Sequence, residues 1–380
     1  MDHIYLDHAA TTPMDPQVAE AMQPVMTTVF GNPSSVHRFG RKARQYLDEA
    51  RRSMAKSIQA DEKEIVFTSG GTEADNLALI GTSLANQAKG NHIITTAQEH
   101  HAVLDTAAYL EQLGFSVTYL SVDETGRINP DELKAALTPE TILVSIMYVN
   151  NETGVIQPIE AAAEILSDHQ AYFHTDAVQA FGLIDIDVNQ TGIDLLSASS
   201  HKINGPKGVG FLYAADGIKL EARQHGGEQE RQHRPGTENM AGVVGFQTAV
   251  ELVMANKAER RGKYSQFREQ FMERLTADGI TYTVNGKLDD SIASIVNLSF
   301  PGTGVESLLT NFDLEGVAAS SGSACTAGSI EPSHVLAAMY QDNDERIMNS
   351  IRFSFGSFNT TENVIEAADR VAKIVKRLTS

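Results

Sequence analysis

The chain has 380 residues, 42% of them hydrophobic, with a formal net charge of -19 and one cysteine. That length can bury a large core and suggests two or three domains. The acidic balance argues against a surface built to grip a nucleic-acid backbone, and the lone Cys325 excludes an internal disulfide. The most apolar stretches, 142–149 and 240–250, fall short of the ~20 residues that cross a bilayer. Met1-Asp2-His3-Ile4 lacks a secretory pattern, so a cytoplasmic protein with no membrane and no direct nucleic-acid contact is expected.

In chain order, short apolar runs at 65–67, 92–95, 117–120, 141–149, 171–173 and 209–213 read as strands. Segments 73–88, 102–113, 131–137 and 159–168 between them carry helical spacing. This alternation predicts an α/β fold with a mostly parallel central sheet and helices on both faces. Binding loops of such sheets gather at the carboxyl ends of the strands. After Met240 a long helical stretch, broken at Gly262, runs toward Leu275 with Phe267 and Phe271 at fourfold spacing. Strands follow at 292–300 and 350–355, and an amphipathic helix at 363–378 closes the chain. These form a smaller α+β C-terminal domain, with the boundary near residue 255.

Several strand ends carry polar motifs. Thr68-Ser69-Gly70-Gly71-Thr72-Glu73 opens a helix, where free amides favour a phosphate; helix capping by Thr72 explains the motif equally well. Glu99-His100-His101 ends the next strand, and a histidine there can stack on a flat ring or move a proton. A metal is not supported, because no third ligand has a recognisable spacing. Asn150-Asn151-Glu152-Thr153-Gly154 reads as an ordinary polar turn. Asp176 ends the run 171–173, and Ser199-Ser200-His201-Lys202 follows the run 193–198. An acid and a lysine on two strand ends, with a phosphate cup, are what pyridoxal 5'-phosphate requires: the lysine forms an imine and the acid partners the pyridinium nitrogen. Cys325 lies in the small-residue run Ser320-Ser321-Gly322-Ser323-Ala324-Cys325-Thr326, which suits a mobile loop better than a core element.

With Tyr5-Leu6-Asp7-His8-Ala9-Ala10-Thr11-Thr12-Pro13, Gly31-Asn32-Pro33 and Ile351-Arg352-Phe353-Ser354, these motifs give a resemblance over nearly the whole chain. It resembles the cysteine desulfurases with the long cysteine loop, within the fold-type I, class V aminotransferase-like pyridoxal phosphate enzymes. The expected division is a large cofactor domain, 13–254, and a small domain, 1–12 with 255–380, bearing a cysteine loop at about 318–332. By resemblance, Lys202 would hold the cofactor, Asp176 would face the ring nitrogen and His100 would stack on the ring. Gln179 and Asn151 would address the ring oxygen, and Gly71, Thr72, Ser199 and His201 the phosphate. Thr237, in Arg234-Pro235-Gly236-Thr237, would reach the phosphate of a neighbouring subunit, which implies a homodimer. Arg352, assisted by Asn32, would bind the substrate carboxylate; a strand arginine pairing with an acid is the alternative.

The implied reaction takes sulfur from L-cysteine onto Cys325 as a persulfide and leaves L-alanine. Lys202, Cys325 and His100 are then the catalytic residues. The sulfur would pass to an acceptor protein, either an iron-sulfur scaffold or a tRNA-thiolating enzyme. Relatives of the first kind continue past the closing helix, whereas this sequence stops at Thr379-Ser380, so the second acceptor is expected equally. Selenocysteine lyase or another class V activity is the alternative within enzymes, and Cys325 discriminates because transamination has no use for it. A sulfur-relay protein that merely keeps the fold would not need Lys202, Asp176, Arg352 and Cys325.

Overall fold

A computed structural model describes residues 3–322, 332–340 and 344–380. After the short strand β1 (Ile4–Tyr5) come seven strands: β2 (Ile65–Thr68), β3 (His92–Thr96), β4 (Ser116–Leu120), β5 (Thr141–Ser145), β6 (Tyr172–Asp176), β7 (Leu195–Ser199) and β8 (Gly210–Ala214). They form one sheet in the order β2-β8-β7-β6-β5-β3-β4. Five neighbouring strands, β4, β3, β5, β6 and β7, are parallel. The run 209–213, expected as one more strand of a mostly parallel sheet, is the antiparallel exception: β8 opposes both β7 and β2. Because β2 also opposes β8, it runs with the others, and its carboxyl end opens on the same edge.

The strands read as continuous apolar runs because both faces are covered. Along β2, Ile65 and Phe67 enter one core and Val66 the other; along β8, Phe211 and Tyr213 face the first and Leu212 the second. This period of two divides each strand between two helical layers.

Two helices that the sequence pattern did not predict precede the sheet. Pro16–Thr27 starts where Asp15 caps the amide of Gln17 and Pro16 takes the first helical position, where its missing amide hydrogen is harmless. Arg38–Ser57 buries Ala43, Leu47, Ala50 and Met54 along one stripe. The expected helix 73–88 is interrupted: Leu77–Gly81 widens into a π-helical turn between Gly71–Asn76 and Thr82–Asn86. The long helix after Met240 breaks at Asn256 and not at Gly262. Asn256 ends helix Met240–Ala255 with non-helical dihedrals, and its side-chain amide donates to the Leu252 carbonyl at 2.9 Å. Gly262 lies inside the next helix, Lys257–Ala277, with open space around it.

The remaining strands are β9 (Thr283–Val284), β10 (Ile295–Ser299), β11 (Val317–Ala318) and β12 (Ser350–Ser354). An antiparallel sheet runs β12-β10-β9, and β1 pairs in parallel with β11. Its core joins Ile4 and Leu6 to Phe267, Phe271, Phe353 and the closing helix Thr361–Thr379. The first residues of the chain therefore pack with the last hundred. Among the described residues, no helix is long and apolar enough to cross a membrane.

Candidate active site

Where the carboxyl ends of the parallel strands meet the small sheet, a cavity of about 380 Å³ opens. Its floor follows from the register: β6 and β7 are adjacent and parallel, with Asp176 opposite Ser197, so Asp176 and the turn Ser200–Lys202 after β7 emerge side by side. Asp176 is buried and accepts the Val178 amide at 2.8 Å. Burial pushes its carboxyl pKa up, against the opposing pull of His100, the Val178 amide and Lys202.

The Lys202 ammonium donates to the carbonyl oxygens of Ala9 and, at 2.9 Å, Ala10. Burial, with Arg352 adding, lowers it to about 8, while Asp176 and Asp7 oppose the shift. A lysine at that value has an accessible neutral amine near physiological pH, which is what attack on an aldehyde requires. His100 caps helix His101–Gln112, its Nδ1 accepting the Ala102 amide at 3.0 Å. In the neutral ring the proton therefore sits on Nε2. Burial lowers its pKa, and Asp176 pulls the other way.

Gly71 and Thr72 begin helix Gly71–Asn76 beside Ser199 at the end of β7. A Cβ on Gly71 would stand 2.7 Å from Val178 Cγ2, so only glycine lets the turn close onto the strand end. His201 Nδ1 meets the Thr11 hydroxyl at 3.1 Å, and burial lowers this histidine to about 4. Gln179 donates to the Ala9 carbonyl at 2.9 Å. All of these line the cavity, as do Asn151 and Arg352.

Arg352 lies on β12, and its guanidinium Nη1 donates to the Asn151 carbonyl at 2.9 Å. Nη2 pairs with Asp7 at 2.9 Å, so the acid pairing weighed as an alternative does exist. Its Nε is buried without a partner among the described residues, however, which leaves a donor for a ligand in the same cavity. Asn32 and Thr237 do not line the cavity. Asn32 is exposed and its side chain accepts the Ser34 amide at 2.8 Å; Thr237 is exposed too. Cys325 and most of the stretch 318–332 lie outside the described residues.

The structure adds acids that motif reading left out. Asp75, in helix Gly71–Asn76, lines the cavity and lies 3.6 Å from His174 Nε2. Burial, then the Asp176 charge, pushes Asp75 well up, and burial holds His174 down at about 3. Two buried carboxyls that feel each other's charge do not readily both ionise. Since His100 and Lys202 face Asp176, the charge belongs on Asp176 and the proton on Asp75. Glu99 accepts from the Met147 amide at 2.8 Å and the Thr96 hydroxyl at 2.9 Å, and burial raises it to about 8. The one sequence signal for such groups is an acid within a few residues of an apolar strand end.

A carbonyl-reactive lysine, a buried acid beside it, a histidine ring, a glycine-lined turn and an idle guanidinium donor fit a flat, phosphorylated aldehyde cofactor. Comparison with known proteins agrees. The family described as "Aminotransferase class-V" matches residues 4–366. "Putative cysteine desulfurase IscS 1" of Bacillus subtilis (strain 168) is 56% identical over 379 residues, covering 100% of both chains. "Cysteine desulfurase IscS" of Dictyoglomus turgidum is 46% identical over 99% of this chain and 95% of its own length. Among solved structures, a "NIFS-LIKE PROTEIN" superposes with a TM-score of 0.92 at 34% identity, covering 99% of this chain and 100% of that one. "SspA in complex with cysteine" superposes at 0.83 with 35% identity over 94% and 99%.

Proposed function

The chain belongs to the aminotransferase class-V family, and from that premise we propose that it is a pyridoxal-phosphate-dependent cysteine desulfurase, converting L-cysteine to L-alanine and a persulfide on Cys325. The observation that carries the reading is the convergence of Lys202 and Asp176 on one cavity from adjacent parallel strands. When bound, the cofactor supplies an electron sink for the charge left as the substrate Cα loses its proton. Lys202, with its lowered proton affinity, holds the cofactor and then moves the Cα proton. Asp176 keeps its charge toward the ring nitrogen. Gly71, Thr72, Ser199 and His201 would hold the phosphate, Gln179 and Asn151 would address the ring oxygen, and His100 would cover the ring. The free Nε of Arg352 orients the substrate carboxylate.

On this reading Cys325 is the nucleophile, and it attacks as a thiolate. Asn32 assists Arg352 from outside the described lining. Thr237, exposed in one chain, is free to serve the site of a second copy in a homodimer. The division into 13–254 and 1–12 with 255–380 is supported by the separate core that joins Ile4 and Leu6 to the C-terminal residues. The acceptor of the sulfur is a protein of iron-sulfur assembly or tRNA thiolation, and the setting is cytoplasmic.

The test is parallel quantification of alanine and sulfide from L-cysteine with a reductant. Wild type should yield equal amounts, and Cys325→Ala should retain the cofactor while losing both products. A keto acid in place of alanine, or undiminished sulfide from Cys325→Ala, would overturn the persulfide mechanism.

A further inference from the structure

Besides Asp75, three more titratable side chains line the cavity and have no part in those steps: Glu152, His101 and His334. Glu152 occupies the turn after β5. Asn150 Oδ1 accepts its amide at 2.9 Å, and its carbonyl accepts from Asn297 of β10 at 3.3 Å. The side chain is fully buried. One carboxyl oxygen, Oε2, accepts from the hydroxyl of Ser333, the cap of helix His334–Met339. The other, Oε1, has no partner among the described residues.

The carboxyl is confined as well as buried. A Cβ on Gly322 would stand 1.8 Å from Oε2 and 2.6 Å from Oε1, so a glycine is needed there for the acid to fit. A buried carboxylate with an idle oxygen is costly, whereas a carboxylic acid can carry a proton there. Burial pushes the proton affinity of Glu152 up. Ser333 and His334 of the capped helix, Arg352 of β12 and His101 of helix His101–Gln112 pull against it. The Nε2 of His334 lies 2.8 Å from the Glu99 carbonyl, which can only accept, so Nε2 carries hydrogen and the lone pair of the neutral ring is on Nδ1. The rings of His334 and His101 are 4.7 Å apart.

We propose that Glu152, served by His334 and His101, is a second acid–base site of the cavity and returns a proton to the β-carbon of the product. The inference rests on the desulfurase reading, and the proton count of that reaction calls for such a group. The attacking thiol gives up its proton, its sulfur bonds to the substrate sulfur, and the Cβ–S bond breaks. The electron pair of that bond stays with carbon, which must take up one proton to become the methyl group of alanine. Thiol and L-cysteine thus balance persulfide and L-alanine with no outside oxidant. One proton leaves sulfur and one reaches carbon, while Lys202 is occupied with Cα.

Glu152→Gln keeps an oxygen for Ser333 and nearly the same volume, and removes only the exchangeable acid. In the cofactor-loaded enzyme the expected loss in kcat for alanine is about 100-fold, in the range of general acid–base catalysis. KM for L-cysteine and the cofactor absorption band should stay within about twofold. In cofactor-free protein, the infrared C=O absorption of protonated carboxyls, to which Asp75 and Glu99 also contribute, should lose one component in Glu152→Gln. Turnover of Glu152→Gln within about twofold of wild type, or an unchanged infrared spectrum, would overturn the proposal. His334→Gln reads the same site without touching the carboxyl: at least a tenfold loss of kcat is expected, and wild-type turnover would count against the cluster. A wild-type enzyme that makes neither alanine nor sulfide would instead sink the desulfurase reading itself.

Discussion

Two regions of the molecule bury ionisable groups and treat them in opposite ways. Between helix Arg38–Ser57 and β2, Arg51 and Glu230 are 7% and 2% exposed and make a two-pronged pair, with Nη1 to Oε2 at 2.7 Å and Nη2 to Oε1 at 2.6 Å. Arg51 also donates to the Ile65 carbonyl at 2.6 Å, and Glu230 Oε2 accepts the Phe67 amide at 2.9 Å. In the cavity, by contrast, Arg352 Nε, Glu152 Oε1 and Asp75 Oδ1 are buried without hydrogen-bond partners among the described residues. A saturated pair has nothing left for a ligand and acts as a fastener. Groups left idle in a cavity carry a desolvation cost that a bound molecule relieves, and that cost is what shifts their proton affinities. The contrast separates structural from functional charge better than burial alone.

The comparison breaks most visibly at Lys202. Lys202→Ala should abolish the covalent cofactor band and all measurable desulfuration, yet leave the chain folded, because the change removes a buried charge and not a fastener. A band that persists in the purified variant would take Lys202 out of its role.

Arg51→Ala should do the reverse. Removing one partner leaves Glu230 buried and unpaired, at a cost of about 3–5 kcal/mol by denaturant unfolding, while activity per folded molecule is retained. A cost under about 1 kcal/mol would show the pair to be no fastener.

The smallest effect concerns pH. Glu99 rises from 4.5 unfolded to about 8 folded, so the native state binds the extra proton between those values. Its contribution is complete below about 4.5 and is lost as pH rises through about 8. Glu99→Gln should therefore flatten the decline in cofactor-free stability between pH 5 and 8. A decline of unchanged slope would assign it to another group.

Much of this arrangement was legible in the chain. Asp176, Lys202, His100 and Gly71 each follow an apolar run, and in a parallel sheet strand ends converge by topology, so neighbours in space could be read from motifs apart in sequence. Glu152 was visible only as part of a turn, because its character comes from Ser333, Gly322 and Asn297, which lie far along the chain. The helix break at Asn256 was misplaced to Gly262 because glycine costs little in a helix with open space, whereas asparagine bonding back to Leu252 competes with the next turn. The Arg51–Glu230 pair carries no local pattern at all: its partners are 179 residues apart.

The opening residues bear on how the protein is made. Residues 4–10 supply β1, the Leu6 carbonyl that accepts the Ser354 amide, the Asp7 partner of Arg352 and the carbonyls that hold Lys202. Asp7 and Arg352 are separated by 345 positions. These two segments find their places only together, and such long-range closure is slow. A nascent chain can lay down the seven-stranded sheet once Ala214 is made, but it gains a competent lysine pocket only after Arg352 has been added, so a chain cut off between them is left without the chemistry.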